Sequence, residues 1–331
     1  ISSFKLSNKS IFNFLSLTFD NFFNVNSGHL CIFIYVNKIT KKFKKLKEFI
    51  RALKGNKPEI TIKSTKHGIF CGFKNDYLFK QAIINGVHES HFKEFIDNFL
   101  LPTDIALDIG GNIGTHTILL SKKLSRGHVY TFEPQSLVFS VLQNNILLNS
   151  CENVTAYRFA ISNRDHSTIS MQPFSFNKKS INNAALQIDL DDAMGDFTLT
   201  RSLDSFKFKK VNFIKIDIQG SEVMALQGAK DLILKHKPVI FIEIEEQYLR
   251  DLGTSTKELL ETLFSLDYAL YRIETNYPCD YLCVPNDKAS SFENTVLNKL
   301  SFKTSKKIFG KSAKVSFAKN TDQIYEKIEI I

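Results

Sequence analysis

Three short segments of the chain combine acids and glycines at spacings suited to holding a charged small molecule. Leu107-Asp-Ile-Gly-Gly-Asn-Ile-Gly114 reads as an apolar strand running into a glycine-rich turn that opens a helix. Glycines let the backbone pass close to a ligand, and a helix N-terminus offers free N–H groups to a carboxylate or phosphate. The glycines stand at 110, 111 and 114 rather than in GxGxxG spacing, so a dinucleotide pyrophosphate is less well served. In Thr131-Phe-Glu-Pro134 an acid, Glu133, ends the next strand. An acid at that place in a doubly wound sheet accepts both hydroxyls of a ribose, so the two motifs together call for a nucleoside. In Ile214-Lys-Ile-Asp-Ile-Gln-Gly-Ser-Glu222 an apolar strand ends in Asp217 and turns through Gly220 into a helix. The carboxyl ends of such strands form the ligand crevice of an open α/β sheet. Each segment also has a plainer reading: a ligand-free βα turn, a solvated strand-end acid, and, for Asp217 or Glu222, a helix N-cap or first-turn acid.

These segments need a scaffold, and the stretch from Asp104 to Asn286 supplies one. Apolar, β-branched runs alternate there with helical patterns, the mark of repeated βα units around a parallel sheet. The pattern predicts strands at Ile105–Ile109, His128–Phe132, Val154–Ala160, Phe213–Ile218, Val239–Ile244, Tyr268–Ile273 and Tyr281–Val284. Helices are expected near 114–125, 135–149, 220–235 and 255–266. Residues 161–210 are too many for one βα step and suggest an inserted hairpin, Thr168–Met171 with Thr198–Ser202. Ahead of the core, Ile60–Phe73 is strand-like and Tyr77–Leu100 helical.

With 331 residues, 43% hydrophobic and 23% charged, and a mean hydropathy of −0.11, the chain can bury a sizeable core, which excludes wholesale disorder. The net charge of +9 is concentrated: 37–54 carries eight basic side chains and one acid, 299–319 seven lysines and no acid, and the remainder is −5. A uniformly basic nucleic-acid binder is not the natural reading, and no nucleic-acid partner is expected. In 37–54, Ile39, Phe43, Leu46, Ile50 and Leu53 form a helical stripe, giving a basic amphipathic helix that either docks on the core or makes peripheral contact with an anionic membrane. Five scattered cysteines argue against a disulfide framework and for a reducing, cytoplasmic setting. No apolar run approaches the ~18–20 residues of a bilayer span. The chain starts at Ile1 rather than Met, as a piece of a longer protein would. The expected organisation is a 1–58 extension, a 59–286 domain with a lead-in over 59–103 and an insert over 161–210, and a Lys-rich 287–331 appendage.

In order and framing, the three segments resemble the FkbM family of S-adenosylmethionine-dependent methyltransferases. The resemblance runs over roughly Asp76 to Glu243 and includes Gly86-Val-His-Glu89, the Asn153-Val to Ala160-Ile-Ser-Asn163 stretch, Leu226-Gln-Gly-Ala229 and the Val239–Glu243 strand. The family commonly has Ala where this chain has Gly111 and Glu where it has Gln219. The resemblance implies a Rossmann-like class I methyltransferase fold, a seven-stranded, mostly parallel sheet with helices on both faces, in which Tyr281–Val284 inserts antiparallel. Asp108, Gly110, Asn112 and Gly114 would then shape the pocket for the methionine portion of the cofactor, Glu133 would hold its ribose, and Ala160 and Ile161 would lie near its adenine. Asp217, Glu222 and Glu89 match acidic positions near the sulfonium or the acceptor.

The implied reaction is O-methylation of a hydroxyl on a sugar, glycan or secondary metabolite. Such a site must align the acceptor oxygen, exclude water and help remove a proton. Asp217, Glu243, Glu89, His88 and His91 are the candidates for that last task. The spacing of His88, Glu89 and His91 is not HExxH and no third ligand is evident, so no metal is expected. Two other readings stay open: an NAD-dependent oxidoreductase, and a methyltransferase-like binding module without turnover.

Overall fold

The computed structural model describes residues 60–74, 76, 79–81, 83, 89–171, 196–273, 279–307, 313–320 and 323–330, with backbone alone from 305 onward. They fall within one compact unit, Pro58–Ile331. The basic helix expected over 37–54, His88, and residues 172–195 of the insert lie outside the described residues.

A hairpin, β1 (Ile60–Thr65) and β2 (Gly68–Phe73), comes first, then helix α1 (Ser90–Phe99). The core follows as β3 (Ile105–Ile109), α2 (Thr115–Lys123), β4 (His128–Phe132), α3 (Ser136–Leu148) and β5 (Val154–Tyr157). The insert supplies β6 (Ala160–Ile161), β7 (Thr168–Met171) and β8 (Asp196–Arg201), a separate three-stranded sheet. The second half runs β9 (Phe213–Ile216), α4 (Glu222–Gln227), α5 (Lys230–His236), β10 (Val239–Ile244), α6 (Glu246–Asp251), α7 (Thr256–Ser265), β11 (Tyr268–Ile273), β12 (Cys279–Pro285) and α8 (Asn286–Thr295). Strand β13 (Thr304–Lys307) and a hairpin, β14 (Ala313–Asn320) with β15 (Gln323–Ile330), complete it.

The main sheet has the order β13-β11-β12-β10-β9-β3-β4-β5. Strands β5, β4, β3, β9 and β10 pair in parallel, and β12 is antiparallel to both β10 and β11. All seven strands expected from the sequence are present in the Rossmann-like class I order, with β12 reversed, and β13 adds an eighth at the edge, antiparallel to β11. Helices cover both faces: α4, α5 and α7 pack on Leu107, Ile109, Ile214, Ile216 and Ile240, while α1, α2 and α8 pack on Ala106, Phe213, Val239 and Phe241. Successive strand residues thus point to opposite, equally buried faces, which is why the strands read as continuous apolar runs.

Four boundaries differ from the sequence reading. Over 77–100, residues 79–81 and 83 are helical, and α1 starts separately at Ser90, after Glu89 with its left-handed backbone (φ 58°). The strand expected over 154–160 divides at Arg158 and Phe159, its last residues leaving to start the insert sheet. The helix expected over 220–235 is two helices: a Cβ on Gly228 would sit 2.0 Å from the Ser162 carbonyl, so the chain kinks where it meets that loop. Residues 287–331, set apart as an appendage by their lysines, contribute β13 to the sheet and bury Ala289, Phe292 and Val296 of and beside α8 in the core. Lys288, Lys299 and Lys303, by contrast, are exposed. No helix among the described residues is long and apolar enough to cross a membrane.

Candidate active site

Strand parity brings the charged residues together. Asp108 on β3, Lys215 on β9 and Phe241 on β10 are register partners, so their side chains lie abreast on the face covered by α1. Glu243, two residues beyond Phe241, shares that face, and Asp280 lies directly opposite Glu243 across the β10–β12 ladder. Glu89 and His91 reach the same end from the start of α1. The signals of the sequence reading, taken one strand at a time, did not include Lys215 or Asp280. Each was visible as a lone charge inside an apolar run.

Lys215 is the centre of this arrangement. Its ammonium, 3% exposed, lies 3.2 Å from Asp217 Oδ2, 3.2 Å from the Gly110 carbonyl and 3.8 Å from Asp108 Oδ1. Burial works against the charge, but Asp217, Asp108 and Glu89 outweigh it and raise the lysine's pKa, so it stays protonated. Asp217 faces the same contest: burial opposes its charge, yet Lys215 and the Gln219 amide hold its carboxylate below the ordinary range. Asp108 is fully buried and shifts upward through burial, though Thr117 donates to its Oδ2 at 2.5 Å.

Gln219, at φ 52°, turns its amide nitrogen to donate to Asp217 Oδ1 at 3.0 Å and Glu243 Oε2 at 3.1 Å. An amide here joins two carboxyls that a glutamate would repel. Burial, then the charges of Asp217, Asp280 and Glu89, push the Glu243 carboxyl well above its ordinary range. His91 Nε2 lies 2.7 Å from Asp280 Oδ2, and Glu89 lies 3.3 Å from His116 Nε2. Burial lowers the His91 pKa, but Asp280 and Glu89 more than offset it, and the net shift is upward.

Across the strand ends lies a cavity of about 420 Å³, within the range of small-ligand pockets. Gly110, Phe132, Pro134, Phe159, Ala160 and Ile161 are among its walls, and Ile218 and Met224 close it from the β9 side. Gly110, Ala160 and Ile161, three of the residues expected to contact a cofactor, thus line one cavity. Glu133, between Phe132 and Pro134, is buried, and its oxygens accept from the backbone N–H of Asn112 at 3.0 Å and of Gln135 at 2.9 Å. Burial raises its pKa to about 7 against those two bonds. Asn112 (φ 47°) and Gly114 (φ 92°) shape the turn, with Asn112 Oδ1 accepting from Ile113 N–H at 2.7 Å.

The structure adds to one expectation and reassigns another. Protein packing by itself requires glycine in the loop: a Cβ on Gly110 would meet the Asp217 carbonyl at 1.9 Å, and one on Gly111 the Thr131 hydroxyl at 2.1 Å. Glu222 does not turn its carboxylate to the cavity. Its oxygens accept from Gly220 N–H at 2.9 and 3.1 Å and from Ile218 N–H at 3.2 Å, and burial raises its pKa to about 7. It braces the turn that carries Asp217 and Gln219. Its side chain is the first-turn helix acid of the plainer reading.

The apolar slot of Phe132, Pro134, Phe159 and Ile161 suits a flat heterocycle, and Glu133, whose oxygens each retain a lone pair, suits a diol beside it. The residues present therefore fit an adenosine.

The family model described as Methyltransferase FkbM domain matches residues 108–270. The chain is 26% identical over 147 residues to Methyltransferase 1 of Beauveria bassiana, covering 38% of this chain and 58% of that one. It is also 26% identical over 166 residues to the hexuronic acid methyltransferase AglP of Haloferax volcanii, covering 50% and 64%. The chain thus spans about three fifths of the length of these curated relatives. The crystal structure of an FkbM methyltransferase from Methylobacillus flagellatus is similar at 22% identity and a TM-score of 0.42, covering 60% of this chain and 49% of that one. The matched stretch, residues 108–270, is thus similar to an FkbM methyltransferase domain and holds Asp108, Glu133, Lys215, Asp217 and Glu243 on or beside their strand ends.

Proposed function

We propose that the protein is an S-adenosylmethionine-dependent O-methyltransferase acting on a hydroxyl of a sugar, glycan or secondary metabolite. The observation that carries this reading is a cavity of about 420 Å³ walled by Gly110, Phe132, Ala160 and Ile161, with Lys215 joining the Gly110 carbonyl to the Asp217 carboxylate beside it. Glu133 would hold the ribose, Phe132, Ala160 and Ile161 the adenine, and the turn from Asp108 to Gly114 the methionine portion. S-adenosylmethionine, when bound, supplies a sulfonium methyl group already activated for transfer.

The chain's own task is then to position and deprotonate the acceptor. Asp217, 28% exposed and kept ionised by Lys215, is in the right charge state to accept a hydrogen bond from an acceptor hydroxyl and take its proton. Glu243 and Gln219 fix the orientation of Asp217 from the other side. Lys215 holds Asp217 and the Gly110 carbonyl together, tying the acceptor side of the turn to the cofactor side. The likeness to a hexuronic acid methyltransferase supports a sugar-type acceptor.

The test is a screen with S-adenosylmethionine carrying an isotopically labelled methyl group against glycan, lipid-linked sugar and small-metabolite acceptors. Base-stable label on an acceptor oxygen is the expected result. Tight cofactor binding by calorimetry with no transfer to any acceptor class would overturn the catalytic reading in favour of a binding module.

A further inference from the structure

Of the charged groups at the carboxyl ends of the strands, Glu89, His91 and Asp280 have no part in the scheme above. They come from the residue before α1, the first turn of α1 and the second residue of β12, with His91 and Asp280 separated by 189 positions. Their ligand-type atoms nevertheless all lie within 4.8 Å of one another. We propose that these three side chains form a binding site for one divalent first-row transition cation of the zinc or manganese class.

The donor set is one imidazole and two carboxylates, a combination that binds such ions in open sites retaining a position for water or substrate. Donors held at ~2.0–2.2 Å around one ion in tetrahedral geometry lie roughly 3.3–3.6 Å from each other. The His91 and Asp280 donors stand 2.7 Å apart and all three donors lie within 4.8 Å of one another, so side-chain rotations that open the His91–Asp280 contact would complete the site.

Groups outside the triad hold it in place. The His91 ring lies stacked near Phe241 and edge-on to Phe302, each at 6.0 Å, and His116 Nε2 stands 3.3 Å from the Glu89 carboxylate. Partners that fix ligand orientation in this way are a usual feature of metal sites.

Burial of the donors is an independent observation. Asp280, 6% exposed, faces Glu243 directly across the ladder, so two carboxyls share one buried stretch of sheet. Asp217 is close by, and Lys215, the buried ammonium at this end, is engaged by Asp217, Asp108 and the Gly110 carbonyl. A divalent ion between Glu89, His91 and Asp280 would add positive charge at this end beside that of Lys215. The triad was not visible in the sequence because its third member is contributed by a distant antiparallel strand.

Resting on the methyltransferase reading, the ion would lie on the acceptor side, where an open coordination position can take a hydroxyl oxygen. Binding itself does not depend on that reading, and the experiment measures it directly. Chelator-stripped full-length protein is titrated calorimetrically with zinc chloride and, separately, manganese chloride at pH 7.5, with electron paramagnetic resonance of bound Mn²⁺ as a second readout. One equivalent should bind and raise the thermal unfolding midpoint. Asp280→Asn, His91→Gln and the less buried Glu89→Gln should each weaken binding by at least about tenfold, while His236→Gln should not. Folded, stripped protein that binds neither ion saturably, or binds it unchanged in all three variants, overturns the proposal and leaves His91–Asp280 as an ion pair. S-adenosylmethionine is titrated in parallel: its binding without metal binding refutes only this site, and metal binding without it refutes only the proposed function.

Discussion

The role of Glu133 can be separated from its effect on stability by replacing it with glutamine, which keeps its shape and cannot ionise. In the ligand-free protein the carboxylate is 7% exposed, accepts two backbone hydrogen bonds, and has its pKa raised to about 7. A raised folded-state value means that stability associated with the protonated form is fully present below about pH 4.5 and is lost as the pH rises through 7. At pH 8 the folded wild type therefore carries the full cost of a buried charge, roughly 3 kcal/mol for a shift of about 2.5 units. Glutamine removes that cost, but its NH₂ faces the Asn112 or the Gln135 N–H and loses one bond, at about 1–3 kcal/mol. The two effects nearly cancel at pH 8, whereas at pH 5 only the loss remains.

Cofactor binding should respond differently. A charge-assisted pair of hydrogen bonds to the ribose hydroxyls is worth about 1.5–3 kcal/mol, so Glu133→Gln should weaken S-adenosylmethionine binding by roughly ten- to a hundredfold at pH 8. Because only the ionised form supplies that charge, wild-type affinity should also rise between pH 6 and pH 8, and the variant's should stay flat. Calorimetry at three pH values, with thermal unfolding of the ligand-free proteins alongside, measures both. A variant that binds as tightly as wild type, or a wild-type affinity indifferent to pH across this interval, refutes the ribose role and the burial argument together.

Asp217→Asn should lower methyl transfer by roughly a hundredfold or more with cofactor affinity little changed, measured as kcat against the calorimetric Kd; normal turnover would return Asp217 to a helix-capping role. Gly111→Ala forces a Cβ to within 2.1 Å of the Thr131 hydroxyl and should cost about 1–3 kcal/mol by overpacking. Combined with Thr131→Ala it should lose less than the sum of the two, a coupling of about 1 kcal/mol or more in urea unfolding; strict additivity would show that the loop relaxes freely. The eight basic side chains of 37–54 should carry full-length protein down with anionic vesicles at low salt and release it at high salt, with deletion of 1–54 abolishing sedimentation; sedimentation unaffected by salt would refute the electrostatic reading.

The sheet was legible because its strands are buried on both faces. Runs such as Val239–Ile244 and Phe213–Ile216 are apolar but for one charge each, Glu243 and Lys215. Elements whose limits depend on tertiary contact were not legible. The break at Gly228 exists because the Ser162 carbonyl passes within reach, and α8 is core because Phe95, Phe99 and Tyr271 meet Phe292, facts with no trace in local periodicity. The two departures from the family pattern acquire reasons the same way. Gly111 accompanies the Thr131 hydroxyl that fills the space of a methyl group, and Gln219 accompanies two carboxyls that need a shared donor.

The same distinction runs through the site. Asp108, Glu133 and Asp217 could be named from sequence because each ends a parallel strand, and the carboxyl ends of parallel strands point one way. Asp280 could not, because β12 runs backwards and presents its beginning to the site. Starting that strand at Tyr281 left Asp280 in a loop; starting it at Cys279 makes Asp280 the partner of Glu243. That one register pair brings Asp280, and with it His91, up to Glu243. The reversed strand, which a purely parallel sheet would lack, is therefore what completes the cluster of acids at this end of the sheet.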